Sequence, residues 1–473
     1  MTPLCVSERV KLRAFLTEVQ DGASRAGRPL TAVWRARVPA GTVAEPIERF
    51  GDDQDEPHFA LEQPQRGIAL AARGEVAAIE ACGADRFATA EHAARALFAD
   101  LRVRDERGLD APREAGPILV GGFAFDHEPV PSERWRAFPS LRFWLPERLL
   151  ARVGPDAWRT LAFCIDPAAD LERTISALET RLSAPPVGVA VSPSPVAPCF
   201  RVEADRSPDE YAATVARALA AIREGDLEKI VVARSCTLRG EAGFDLTRLL
   251  RTLRAQHPAC FIFAVGRQGA TFVGASPERL LRRTGARIQA TVLAGSAPRG
   301  RTPEEDERLG RTLCESKKEQ VEHAIVRRAV REALAPVCAS VEAPESPVLL
   351  RLDGIQHLHT PVEALLRDGG AGHFALVARL HPTPAVGGAP REDALAWLAA
   401  NESLERGWYA GGVGWLAPDG DSELTVALRS ALLRGDEATL FAGAGVVAGS
   451  TPAGELAETR LKLRALLAGL MEI

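Results

Sequence analysis

The constraint that most limits the fold of this chain is the grouping of its β-rich runs. After a helical stretch at Pro208 to Gly225, with Tyr211, Val215, Ala218, Leu219 and Ile222 on one stripe, comes Lys229-Ile-Val-Val-Ala-Arg-Ser-Cys-Thr-Leu. Phe261-Ile-Phe-Ala-Val and Thr271-Phe-Val-Gly follow as further short runs, and the C-terminal part holds Trp408–Leu416, Glu423–Leu433 and Ala438–Val447. β-branched and aromatic residues at this density predict strands. The runs follow one another across short turns, whereas a parallel sheet needs a helix after each strand. The expected class is therefore α+β with antiparallel sheets. A long charged, amphipathic segment from Pro303 to Leu334 reads as helix.

A Pro-rich stretch over 183–198 resists both helix and central strand and predicts a surface loop. It divides an N-terminal part, 1–200, from a C-terminal part, 201–473. Gly121-Gly-Phe-Ala-Phe-Asp126 in the N-terminal part resembles Gly411-Gly-Val-Gly-Trp-Leu416 in the C-terminal part, a hint of two similar halves.

Composition narrows the class of function. With 58 basic and 63 acidic residues the net charge is −5, which gives no reason to expect nucleic acid or an anionic membrane as partner. No run reaches the roughly 18 apolar residues that span a bilayer, and the N-terminus has no secretory apolar core, so a cytoplasmic protein is expected. The eight cysteines are scattered, with no C-x-x-C pair, as expected of reduced thiols without zinc.

The chemistry-bearing residues lie in separated motifs. Glu455, Glu458 and Lys462 share one face of a C-terminal helix, at i, i+3 and i+7, behind a Ser450-Thr451-Pro452 start. Glu319 and Glu322 repeat the spacing of the first two. Two such pairs suit a hard divalent cation, though each alone is more simply read as a solvated face with ion pairs. Glu278, where a strand ends, could be a general acid if enclosure raised its pKa, or an ordinary loop glutamate. Lys229 could be a base or a surface strand lysine. Arg429 sits within an otherwise apolar strand and needs an anion, either a bound carboxylate or an internal acid. Gly443-Ala-Gly-Val-Val-Ala-Gly449 lacks the spacing and the downstream acid of a dinucleotide fingerprint; it is expected to offer backbone N–H groups to a small anion. His381-Pro-Thr-Pro-Ala-Val-Gly-Gly-Ala-Pro390 is an irregular apolar segment suited to walling a pocket.

These motifs occur together and in order in one family. From about residue 204 to 470 the chain resembles the chorismate-utilising enzymes: isochorismate, salicylate, anthranilate and aminodeoxychorismate synthases. The resemblance rests on Glu228-Lys-Ile-Val-Val-Ala-Arg234, Gly274-Ala-Ser-Pro-Glu-Arg-Leu280, Leu293-Ala-Gly-Ser-Ala-Pro-Arg-Gly300 and Glu319-Gln-Val-Glu-His323. It continues through Gln356-His-Leu, His381–Pro390, Val426-Ala-Leu-Arg429, Phe441-Ala-Gly-Ala-Gly445 and Glu455-x-x-Glu458-x-x-x-Lys462.

The resemblance implies one integrated unit of two antiparallel sheets packed together with helices outside. It also implies Mg²⁺ as cofactor, held by Glu322 and Glu458 with Glu319 and Glu455 in support. Lys229 would be the base that activates water, and Glu278 the acid for the leaving hydroxyl. Gly295, His357, Ala385, Val386, Arg429, Gly443 and Lys462 would bind chorismate, with Arg429 on the enolpyruvyl carboxylate and Lys462 on the ring carboxylate. Lysine at 229 and Ser after Gly295 resemble the isochorismate-forming members rather than the amine-adding ones. No amidotransferase partner is therefore expected, and a monomer or weak dimer is. The long N-terminal part leans towards menaquinone biosynthesis, with siderophore supply or salicylate synthesis as alternatives.

Overall fold

The computed structural model describes residues 4, 6–39, 55–105, 111–128, 132–183, 200–241 and 243–471. Most of the Pro-rich stretch, 184–199, lies outside them.

Two large sheets pack face to face. In the first, one half runs outward from a central seam as Phe261–Arg267, Ala270–Ser276, Ser430–Arg434, Glu437–Val447 and Lys229–Arg239. The other half runs His58–Gln63, Ile68–Arg73, Arg148–Val153, Asp156–Ile165 and Leu30–Val38. In the second sheet the two sides of the seam are Gly412–Leu416, Ser422–Val426, Arg279–Thr284 and Leu119–Phe123, Leu141–Leu145, Ala77–Ala81. Matched strands occur in the same chain order in each half, so these strands are two copies of one topology related by a pseudo-two-fold; Arg287–Pro298, Ile355–Leu366, Val348–Arg351 and Cys338–Glu342 extend the second sheet in the C-terminal half alone.

The similar glycine motifs of the sequence are this seam. Gly414 pairs with Gly121 and Gly412 with Phe123, antiparallel. A Cβ on Gly122 would run into the Gly412 carbonyl and lie 2.6 Å from the Trp408 ring, so the close approach needs glycine. Both sheets are antiparallel save that Leu101–Asp105 runs parallel to Leu30–Val38 at one edge.

Between the sheets lies the main core, where Phe59, Phe263 and Phe272 of the first sheet meet Phe123, Phe143, Leu424 and Val292 of the second. Helices Leu246–Gln256 and Pro452–Met471 cover the outer face of the first sheet's C-terminal half, with Leu249, Leu253, Leu463 and Leu466 buried against Ile262 and Val273. Lys229–Arg239 is thus covered on both faces, and residues 229–236 are buried without alternation. The helix Pro208–Glu224 forms as expected, its start fixed by a reciprocal Ser207–Glu210 capping box. Among the described residues no helix is long and apolar enough to cross a membrane.

Two expectations change. The single helix over Pro303 to Leu334 is two, Pro303–Glu315 and Lys317–Leu334. Ser316 leaves helical geometry at ψ 112°, and its Oγ accepts from Glu319 N, capping a fresh helix. The run Glu423–Leu433 is likewise two strands, Ser422–Val426 in one sheet and Ser430–Arg434 in the other. Arg429 lies between them with φ +47°, so it does not belong to an apolar strand. It stands where the chain crosses from sheet to sheet.

Candidate active site

Lys229 opens its strand, paired with Val447 on one side and Ala389 on the other. Only 1% exposed, it places Nζ 2.8 Å from Glu322 Oε1. A Cβ at Gly445 would overlap that oxygen and lie 3.0 Å from Lys229 Cε, so the glycine makes room for the ion pair. Val231 and Ala233 give their N–H groups to the Gly387 carbonyl and the Glu402 carboxylate, away from the strand Glu437–Val447. Gly445 and Gly443 opposite them are therefore non-hydrogen-bonded pairs, with peptide groups turned to the open side. There the Gly443 carbonyl accepts from Lys462 Nζ at 2.9 Å. Lys462 also pairs with Glu458 Oε1 at 2.7 Å.

Each carboxylate pair stands in the first turns of a capped helix. Ser316 caps the helix of Glu319 and Glu322. Thr451 Oγ1 accepts from Gly454 N ahead of Glu455 and Glu458. Helix N-termini favour negative charge, which helps hold the carboxylates together.

Glu278 follows the strand Ala270–Ser276. Its carbonyl accepts from Thr425 Oγ1 at 2.7 Å and Val426 N at 3.0 Å, which pins the residue beneath the second sheet. Burial pushes its carboxyl up to about 8, although the charges of Lys229 and Lys462 pull the other way. Near neutrality this carboxyl keeps its proton.

Arg429 Nη2 meets His357 Nε2 at 2.6 Å, and His357 Nδ1 lies 3.0 Å from Ser296 Oγ. An arginine only donates, so Nε2 accepts and the His357 proton sits on Nδ1. Burial and the Arg429 charge hold the His357 pKa well down, in keeping with a neutral ring. Arg429 Nη1 is buried with no partner, a free donor on a desolvated cation. Gly295 interrupts the pairing of Arg287–Pro298 as a bulge with φ +82°, re-aiming Ser296 beside His357.

A cavity of about 660 Å³, including its mouth, gathers these groups. Glu278, Gly295, Glu322, His357, Ala385, Val386, Arg429, Gly443, Glu458 and Lys462 all line it, and Lys229 stands one layer behind Glu322. Glu319 and Glu455 line the groove that adjoins its mouth. A roomier groove on the far side of the 382–390 segment, lined by Phe87, Arg95 and Arg379 among others, holds none of this acid–base set. Chemistry rather than size selects the inner cavity.

Three supports were not found from sequence. Tyr409 stacks on Phe441, ring centroids 5.3 Å apart, and lines the cavity. Buried Arg406 donates to the carbonyls of Val386 and Val231 at 2.7 Å each, clamping the loop wall to the Lys229 strand. Its counter-ion is Glu402, at 2.6 Å. The four-residue spacing of Glu402 and Arg406 was visible, but an exposed pair has the same spacing.

The donor set suits a hard cation in kind. Oε2 of Glu319 and of Glu455 are buried and unpartnered, and burial with neighbouring carboxylates pushes both groups' pKa up. As they stand, each of the four carboxylates faces a lysine, and among the described residues no three acidic, His or Cys side chains converge on one point. Ligation would require some of these oxygens to turn from lysine to metal.

A family model described as chorismate binding enzyme matches residues 20–471. The chain belongs to the chorismate-binding enzymes. Among the relatives of this chorismate-binding enzyme is the salicylate biosynthesis isochorismate synthase of Pseudomonas aeruginosa, 37% identical over 91% of this chain and 88% of that one. Isochorismate synthase MenF of Bacillus subtilis is 34% identical over 75% of each. The solved structure of MenF, the menaquinone-specific isochorismate synthase from Escherichia coli, has the same fold, with TM-score 0.77 at 24% identity over 96% of this chain and 99% of that one.

Proposed function

We infer that the chain is an isochorismate synthase: it adds water at C2 of chorismate and releases the C4 hydroxyl, a reversible exchange with no net redox change. The observation that carries the reading is one cavity that gathers a buried carboxyl, Glu278, whose pKa burial raises to about 8, with Lys462 on its wall and Lys229 behind Glu322. Glu278 delivers its proton to the departing hydroxyl. Lys229 takes the proton of the attacking water; tied to Glu322 at rest, it is free to do so only when that carboxylate is engaged elsewhere. Acid and base each contribute about 10²–10⁴-fold.

The unpartnered Nη1 of Arg429 and the open-side peptide of Gly443 receive the enolpyruvyl carboxylate, and Lys462 the ring carboxylate. His357 holds Arg429 in place. Mg²⁺ belongs in this proposal on the chemistry of the donors: Glu322 and Glu458 would hold it, with Glu319 and Glu455 in support. When bound it supplies positive charge beside the ring carboxylate. A relative named for salicylate biosynthesis and a solved structure described as menaquinone-specific both match along most of the chain. Isochorismate is the product common to both routes, and the enzyme that consumes it fixes the route.

The test is product analysis with chorismate, Mg²⁺ and no ammonia. Isochorismate is expected, and Lys229→Ala should lower kcat by about 10²–10⁴-fold. Salicylate with pyruvate, or an ammonia-dependent aminated product, would replace this reading. Full activity in Lys229→Ala would remove the base.

A further inference from the structure

One lysine of the acidic cluster has no part in the chemistry above. Lys318, in the first turn of Lys317–Leu334, lies with Nζ 2.9 Å from Glu455 Oε1 and 3.1 Å from Glu319 Oε1. It thus joins a carboxylate from each of the two helices that carry the acidic pairs. Each of these carboxylates keeps its second oxygen buried and unpartnered, and Glu455 is only 1% exposed. Glu322 and Glu458 have lysines of their own, Lys229 and Lys462. Four carboxylates therefore share three ammonium groups, and the cluster is short of positive charge even with Lys318 in place.

The three lysines differ in freedom. Lys229 is 1% exposed and sealed behind Glu322. Lys462 is fixed by both Glu458 and the Gly443 carbonyl. Lys318 and Lys462 keep similar fractions of their side chains exposed, 24% and 25%, but of the three only Lys318 borders the groove lined by Pro298, Gly449, Arg460 and Arg464 that opens towards Glu319, Glu455 and Glu458. Its flexible four-carbon stem lets the ammonium swing out along that groove.

On the reading that the site takes Mg²⁺, we propose that Lys318 is a built-in counter-ion, bridging Glu319 and Glu455 where a divalent cation would act and displaced when the cation binds. An ammonium held by Glu319 and Glu455 occupies the two carboxylates that would support the cation, and within a few ångströms the two positive charges repel. Lys318 therefore holds the like-charged helix ends together in the metal-free protein and weakens metal binding by competition.

The experiment measures metal affinity of the full chain without substrate, by Mn²⁺ electron paramagnetic resonance and Mg²⁺ calorimetry. Lys318→Met and Lys318→Gln are each expected to bind both ions about tenfold more tightly than the unaltered chain, which corresponds to about 1.4 kcal/mol. They are also expected to show a lower Tm without metal and a larger metal-induced rise. Lys318→Arg keeps the charge and should bind as the unaltered chain does. Either neutral variant suffices if the other fails to fold. Affinity unchanged or weakened in the folded neutral variants overturns the counter-ion role while leaving the magnesium reading intact. An unaltered chain that binds neither ion at millimolar concentration overturns both.

Discussion

Glu278 carries the clearest pH signature of any single residue. A general acid must hold its proton, so activity should be present below its pKa of about 8 and fall as pH rises through it. The alkaline limb of a kcat/KM profile measures this. Glu278→Gln keeps the shape but has no carboxyl to titrate; it should lose about 10²–10⁴-fold in kcat, along with that limb. Unchanged turnover would sink the assignment. In the sequence, Ser276-Pro277-Glu278 is indistinguishable from an ordinary loop, because what raises the pKa is enclosure. The enclosing residues, Thr425 and Val426 with Lys462 beyond, lie some 150 positions or more away. Arg429 was legible as a cation in need of an anion. Its place at a crossing between sheets was not, since apolar residues on both sides of a sharp turn look like one strand.

Among elements, the loop wall depends on a buried pair. Arg406 ties Val386 to Val231, and Glu402 completes the tie through Ala233 N at 2.8 Å. Arg406→Met leaves the Glu402 carboxylate buried without its counter-ion and should cost about 3–5 kcal/mol of stability. Denaturant unfolding would measure that. Adding Glu402→Gln should recover part of the loss, and no recovery would argue that Arg406 acts through packing alone. Element types were largely readable because periodicity and capping are local: Ser207 with Glu210, and Thr451 before Pro452, mark helix starts from within four residues. The break at Ser316 was hidden because Cys314, Glu315 and Lys317 beside it suit a helix as well as a boundary.

At the scale of the molecule, the seam predicts that the halves do not separate. A chain of residues 201–473 alone would expose the edges of Phe261–Arg267 and Gly412–Leu416, which in the whole chain pair with His58–Gln63 and Leu119–Phe123. Unpaired apolar edges drive aggregation, so this fragment should be insoluble or form large particles by size-exclusion chromatography, without chorismate turnover. A monodisperse, active fragment would refute the prediction. The antiparallel class followed from strands grouped across short turns. The mirrored order was legible only in the two Gly-Gly motifs, since the other partners share no sequence signature across so many intervening residues. That order means a chain of half this length could build both sheets by pairing with its twin, with two equivalent pockets. Here the counterparts of the Lys229 and Gly443 strands, Leu30–Val38 and Asp156–Ile165, pack Trp34, Leu161 and Phe163 against Leu12 and Leu16. In a symmetric dimer every position must serve both roles at once. Fusion frees one copy to become solid scaffold while the other stays hollow and reactive.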